Sequence, residues 1–123
     1  MSGTNTINTT DIENDKEFIR LFKKIGNYTS VSIERSYALY KAVKYILENN
    51  IKGDFVECGV WKGGSCMLLA YMLKDAGVTN RGIWLYDTFM GMTAPGPQDG
   101  NKEKKEWEEK RITAEANSWC LEY

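Results

Sequence analysis

Residues 54–65, Asp54-Phe55-Val56-Glu57-Cys58-Gly59-Val60-Trp61-Lys62-Gly63-Gly64-Ser65, decide the fold. Asp54–Cys58 reads as a short β-strand that ends at Gly59. After the glycine-rich turn, Ser65–Ala76 carries Met67, Leu68, Tyr71, Met72 and Leu73 as the apolar residues of a helix, and Gly77 supplies its C-cap. Gly82–Tyr86 (GIWLY) is then a continuous apolar run of the kind found in strands buried on both faces, and it stops abruptly at Asp87. Strand, glycine turn, helix and strand make a βαβ unit over residues 54–89. Its strands are expected to be parallel, with a right-handed crossover.

Toward the N-terminus, Thr29, Ser30 and Ser32 are each able to cap a helix. Behind them Ile33, Tyr37, Tyr40, Val43 and Leu47 recur every three or four residues, one buried face of a long helix that ends at Asn49 and Asn50. Glu17–Ile25 predicts a shorter amphipathic helix with Phe18, Leu21, Phe22 and Ile25 on one side, closed by Gly26. Residues 1–16 are polar and rich in Thr and Asn, and read as a flexible tail.

Toward the C-terminus, GMTAPGPQDG (91–100) holds both prolines and reads as a loop. KEKKEWEEKR (102–111) interleaves both charge signs around Trp107 and reads as a solvated helical face. NSWCLEY, ending at Tyr123, has the apolar character of an element that is just beginning.

With 123 residues the chain has room for one domain, taken as residues 17–123. Its net charge of −1 removes the electrostatic case for nucleic acid or an anionic membrane as partner. The opening residues lack the basic start and apolar core of a signal peptide, and no apolar run reaches membrane-spanning length, so a cytoplasmic location is expected. Cys58, Cys66 and Cys120 are an odd set without C-x-x-C spacing, which argues for small buried residues rather than disulfides or zinc. Histidine is absent, so no histidine triad, base or metal ligand exists.

Open α/β sheets place ligands at the carboxyl ends of their strands, where Glu57 and the glycine turn lie. A dinucleotide fingerprint starting at Gly59 would need a small middle residue so that backbone can approach a pyrophosphate, and Trp61 stands there. A phosphate-binding loop would need lysine directly before the serine, whereas Gly64 precedes Ser65. S-adenosylmethionine fits better. Glu57 suits its cationic end, Gly59, Gly63 and Gly64 allow close approach, the helix start near Ser65 can face its carboxylate, and Asp87 can accept from both ribose hydroxyls. The plainer alternative is a structural glycine turn of the kind common in α/β proteins, with Asp87 as the cap of a following turn.

GDFVECGVWKGGS followed by LYDTFMGM, with SIERSYALYKAV before them, resembles the macrocin O-methyltransferase family (TylF/MycF type) across residues 28–100. The resemblance implies the N-terminal part of a Rossmann-like class I methyltransferase fold, with helices followed by a parallel βαβ unit and an incomplete sheet. It implies that Glu57, Gly59, Trp61, Gly63, Gly64 and Ser65 form the first cofactor motif, and that Asp87, Thr88 and Phe89 form the ribose-side motif. It also implies that Ser32 and Arg35 lie in a segment that closes over the cofactor, where Val31 and Ile33 depart from the family's usual Thr and Pro. The resemblance implies S-adenosylmethionine as cofactor, and magnesium only in the full-length family domain, whose later strands would hold its ligands and the base. No catalytic residue and no metal ligand is therefore assigned here.

Three functions follow from this reading. The first is a truncated or split O-methyltransferase for sugar or other natural-product hydroxyls, inactive as an isolated chain. The second is a non-catalytic cofactor-binding or interaction module that self-associates or pairs with another chain, such as a C-terminal half. The third, a nucleotide-dependent transferase, is disfavoured by Trp61 and Glu57.

Overall fold

The computed structural model describes residues 9–89, 91 and 93–113. The chain divides after Tyr86 into two compact units, Met1–Tyr86 and Asp87–Tyr123.

Among its described residues the first unit holds four α-helices, α1 (Thr9–Asn14), α2 (Lys16–Ile25), α3 (Ile33–Glu48) and α4 (Gly64–Asp75), and two strands, β1 (Phe55–Cys58) and β2 (Ile83–Tyr86). Asp15 caps α2 by accepting from the Phe18 N–H at 3.0 Å. Of the three candidate caps for α3, Ser32 is the one used, its hydroxyl accepting from the Arg35 N–H. Helix α2 passes at Gly26 into a single 3₁₀ turn, Gly26–Tyr28, rather than ending in a left-handed glycine.

Apolar spacing brings the helices together. Phe18, Leu21 and Ile25 of α2, Tyr37, Tyr40 and Val43 of α3, and Leu68, Leu69 and Met72 of α4 are buried in one core. Phe18 meets Tyr37 edge-on with ring centroids 4.9 Å apart, and Tyr40 at 5.4 Å. Burying three such aromatic rings contributes about 1.5–3 kcal/mol each.

The described part of residues 1–16 corrects the flexible-tail reading. Thr9–Asn14 is helical, and Ile12 is 2% exposed within the core. A single isoleucine within Thr9–Asn14 has no periodicity to announce it, yet it completes the cluster once α2 and α3 are in place. Residues 1–8 lie outside the described residues.

Strands β1 and β2 pair in parallel with Phe55 opposite Ile83 and Cys58 opposite Tyr86, as the βαβ reading expects. Phe55 and Ile83 pack against the helical core. Side chains alternate along a strand, so Val56, Cys58, Trp84 and Tyr86 occupy the other face. Val56, Trp84 and Tyr86 are 62%, 54% and 59% exposed. The expectation that β2 is buried on both faces is therefore wrong for this chain. A two-stranded sheet covers one face only, and an apolar run reports the capacity for burial rather than its achievement.

In the second unit, residues 93–100 carry no helix or strand, and α5 (Asn101–Thr113) follows. Its charged residues from Lys102 to Glu109 are exposed, with Lys102–Glu106 and Lys105–Glu109 paired along the helix, and Trp107 is half-buried. The element expected at NSWCLEY, with Trp119, Cys120 and Tyr123, lies outside the described residues.

Candidate functional site

The β1–α4 turn is shaped by backbone conformation. Gly59, Trp61 and Gly63 all have left-handed φ values, 85°, 49° and 84°. Gly59 continues the strand ladder, its N–H donating to the Tyr86 carbonyl at 2.9 Å. The Gly63 N–H donates to the Val60 carbonyl at 2.9 Å and closes the turn, while Val60 is buried at 6% exposure beneath it. A left-handed conformation disfavours side chains with a Cβ by about 1–2 kcal/mol, so Trp61 occupies a position glycine would take more readily. The half-buried indole is held there with the Lys62 ammonium 4.8 Å from its ring centroid.

The three glycines are not equivalent. A side chain at Gly59 or Gly63 would meet no atom within 4 Å, so these two leave open space around a backbone conformation that favours glycine. A Cβ on Gly64 would come within 2.5 Å of the Thr29 Cβ and 2.5 Å of the Tyr28 carbonyl oxygen. Gly64 thus serves packing, letting the Tyr28–Thr29 segment lie on the first turn of α4. This corrects the expectation that all three glycines make room for a ligand. Tyr28 and Thr29 are neighbours of the motif that sequence reasoning missed, because only tertiary packing brings them to it.

Helix α4 begins at Gly64, and Gly63 at its N-cap position offers no side-chain cap. Backbone N–H groups in a first turn lack partners inside the helix and carry partial positive charge, which favours an anion. Ser65 lies in this turn, half-buried.

Glu57, also half-buried, stands at the end of β1. The Cys66 thiol, from the first turn of α4, donates to Glu57 Oε2 at 2.6 Å. Burial, reinforced by the Glu57 carboxylate, pushes the Cys66 thiol up to about 12. Cys66 was legible as a buried cysteine but not as the partner of Glu57. The spacing of nine residues carries no periodic signal across a turn. Cys58, expected to be buried, is exposed because it lies on the open face of the sheet, and Cys120 lies outside the described residues.

Ser32 and Arg35 fall at the start of α3, where Ser32 serves as the helix cap. Thr29 and Val31 are tied together just before it, the Val31 N–H donating to the Thr29 hydroxyl at 3.1 Å. The link from Tyr28–Thr29 to Gly64 therefore brings the segment leading into α3 onto the motif.

Asp87, Thr88 and Phe89 open the second unit and form a local turn. The Phe89 N–H donates to Asp87 Oδ1 at 3.1 Å, the Thr88 hydroxyl donates to the Gly91 carbonyl at 2.8 Å, and Phe89 is left-handed at φ 53°. Asp87 thus holds the turn, as the plainer reading anticipated. Among the described residues no group of three or more His, Cys, Asp or Glu is gathered as a metal donor set. No helix among them is long and apolar enough to cross a membrane.

Residues 10–118 match the family described as macrocin-O-methyltransferase (TylF). The chain is similar to demethyldecarbamoylnovobiocin O-methyltransferase of Streptomyces niveus, at 37% identity over 73 residues, 59% of this chain and 28% of that protein. It is similar to mycinamicin III 3''-O-methyltransferase of Micromonospora griseorubida, at 34% identity over 64 residues, 52% of this chain and 25% of that protein. The solved structure of the O-methyltransferase NovP matches with a TM-score of 0.58 and 29% identity, over 76% of this chain and 39% of that one. The chain thus spans about a quarter of the length of the curated relatives it matches.

Proposed function

This chain belongs to the macrocin O-methyltransferase family, and on that premise we propose that it is the S-adenosylmethionine-binding portion of an O-methyltransferase acting on a sugar or other natural-product hydroxyl. Its architecture is the N-terminal part of a Rossmann-like class I methyltransferase fold with an incomplete sheet. The observation that carries the proposal is the left-handed turn running from Glu57 to the uncapped start of α4.

The donor set fits the cofactor. Glu57 takes its ammonium or sulfonium end, the first turn of α4 with Ser65 takes its carboxylate, and the open backbone at Gly59 and Gly63 admits its methionine portion. Trp61 forms a wall of the site. Asp87, with Thr88 and Phe89 shaping its turn, accepts from the ribose hydroxyls, and Ser32 and Arg35 close over the cofactor. When bound, the cofactor supplies an electrophilic methyl group. Methyl transfer further requires an acceptor oxygen in line with that methyl and a group to take the hydroxyl proton. Neither is assigned to this chain, and no magnesium ligand is assigned in the proposal. A cytoplasmic location is part of the same reading.

Calorimetric titration of the chain with S-adenosylhomocysteine tests it. Binding that Glu57→Gln weakens is expected, together with no methyl transfer by the isolated 123 residues. Transfer is expected on supplying a C-terminal half of the family domain in trans. A chain that binds no cofactor would overturn the reading.

The exposed face of Val56, Trp84 and Tyr86 favours a second reading, a non-catalytic module that pairs with another chain or with itself. Light scattering distinguishes the two. A concentration-dependent dimer that Trp84→Lys dissolves, without cofactor binding, supports the module.

A further inference from the structure

The geometry points to Cys66 as a positioning residue for the cofactor site, its thiol orienting the Glu57 carboxylate so that one oxygen is held and the other meets the ligand's cationic end. The inference rests on the cofactor reading proposed above, and it adds a residue that the motif itself does not contain.

Glu57 is the last inward-facing residue of β1, opposite Leu85, and its side chain reaches the start of α4. A glutamate has three side-chain torsions, and a half-exposed one samples several rotamers unless a partner selects one. Cys66 provides that partner. It is 7% exposed and belongs to the first turn of α4, so burial and the helix backbone fix its position. Its Sγ lies 2.6 Å from Oε2 and engages that oxygen alone.

The thiol stays protonated across physiological pH because burial and the neighbouring carboxylate raise it to about 12. It therefore acts as a donor there at all times. A thiol is a weak donor, but an ionised carboxylate is the strongest acceptor a protein offers it. The arrangement differs from an acidic strand end left to water. The carboxylate is aimed before the ligand arrives, which lowers the ordering that binding must impose.

The test uses the full chain, S-adenosylhomocysteine as probe, and four variants: Glu57→Gln, Cys66→Ala, Cys66→Ser and the double variant Glu57→Gln/Cys66→Ala. Cys66→Ala should weaken binding by about two- to tenfold, the range of one net hydrogen bond. Cys66→Ser, which retains a donor, should recover part of that loss. In the Glu57→Gln background Cys66→Ala should add nothing further, because the partner it orients has lost its charge.

A second readout needs no cofactor. The S–H stretching band of Cys66, isolated by infrared difference against Cys66→Ala, should move to higher frequency in Glu57→Gln as the hydrogen bond weakens. Wild-type affinity in Cys66→Ala, or Cys66→Ser as weak as Cys66→Ala, would overturn the positioning role while leaving the cofactor reading intact. An unmoved S–H band would remove the contact itself. A wild-type chain that binds no cofactor yet shows the band shift would locate the failure in the cofactor reading, and the positioning role would fall with it.

Discussion

Gly64 and Thr29 lie so close that a single methyl group added to the glycine would come within 2.5 Å of the threonine Cβ. The motif's last glycine therefore holds the segment before α3 against the start of α4. Gly64→Ala forces that segment outward and should destabilise the chain by about 1–3 kcal/mol, as overpacking does. Gly63→Ala meets no atom within 4 Å but must keep a φ of 84°. It should cost about 1–2 kcal/mol through backbone strain alone. Urea unfolding of both variants gives these values, and amide exchange separates the causes. Only Gly64→Ala should speed exchange at Val31, whose N–H is held by Thr29.

Tyr40 is 1% exposed and its hydroxyl donates to Glu17 Oε2 at 2.9 Å. Burial, together with that acidic partner, raises the phenol well above its ordinary value. Tyr40→Phe keeps the ring packing and should cost about 0.5–1.5 kcal/mol. Tyr40→Ala empties the core beside Phe18 and should cost about 3–5 kcal/mol. Thermal unfolding that ranks the two variants equally would show that the ring contributes little.

Asp54 ties the start of β1 to β2, accepting from the Gly82 N–H at 2.9 Å and from Trp84 Nε1 at 2.8 Å. The Trp84 hydrogen bond, then the Gly82 one, holds its carboxyl below the ordinary 3.8. A depressed value means that the stabilisation is complete above the unfolded value and is lost as pH falls through the folded one. The Trp84 indole N–H resonance should therefore shift with a midpoint below 3.8. Asp54→Asn should abolish the titration.

Cys66 gives the opposite sign. Its thiol rises from 9.0 to about 12 on folding, so its contribution is complete below 9.0 and fades as pH climbs toward the folded value. Stability of the wild-type chain should fall across that window more steeply than that of Cys66→Ala. Parallel curves from denaturant titrations at several alkaline pH values would contradict the assignment.

For the ribose side, Asp87→Ala should weaken S-adenosylhomocysteine binding by about 1.5–3 kcal/mol, the range for hydrogen bonds to a charged acceptor. Asp87 also accepts from the Phe89 N–H, so the variant loses a turn as well. Asp87→Asn keeps an oxygen for that turn while removing the charge. Comparing the two by calorimetry separates the ligand contact from loop order, and unchanged affinity in both would remove Asp87 from the site.

Much of this was legible in the chain itself. The helices at Lys16–Ile25, Ile33–Glu48 and Gly64–Asp75 and the strands at Phe55–Cys58 and Ile83–Tyr86 fall within a residue or two of where apolar spacing and capping residues place them. So does the parallel βαβ order, because strand, glycine turn and helix are each set by neighbours a few positions away. The family, too, was readable from ECGVWKGGS and LYDTF, since a turn with Trp61 between glycines is a specific chemical statement.

What only the tertiary structure decided concerns residues distant along the chain. Ile12 joins the core although its surroundings are polar, because α2 and α3 leave a site that it fills. Gly64 turned out to face Thr29 rather than open space, and Cys66 to face Glu57, because the Tyr28–Thr29 segment and the end of β1 both meet the first turn of α4. The apolar run Ile83–Tyr86 is the clearest divide. Local sequence determines that it is a strand able to be covered on both sides. Whether it is covered depends on which other elements pack there, and among the described residues the sheet has two strands, with Trp84 and Tyr86 exposed. Hydrophobic pattern is a property of a segment, whereas burial is a property of everything that surrounds it.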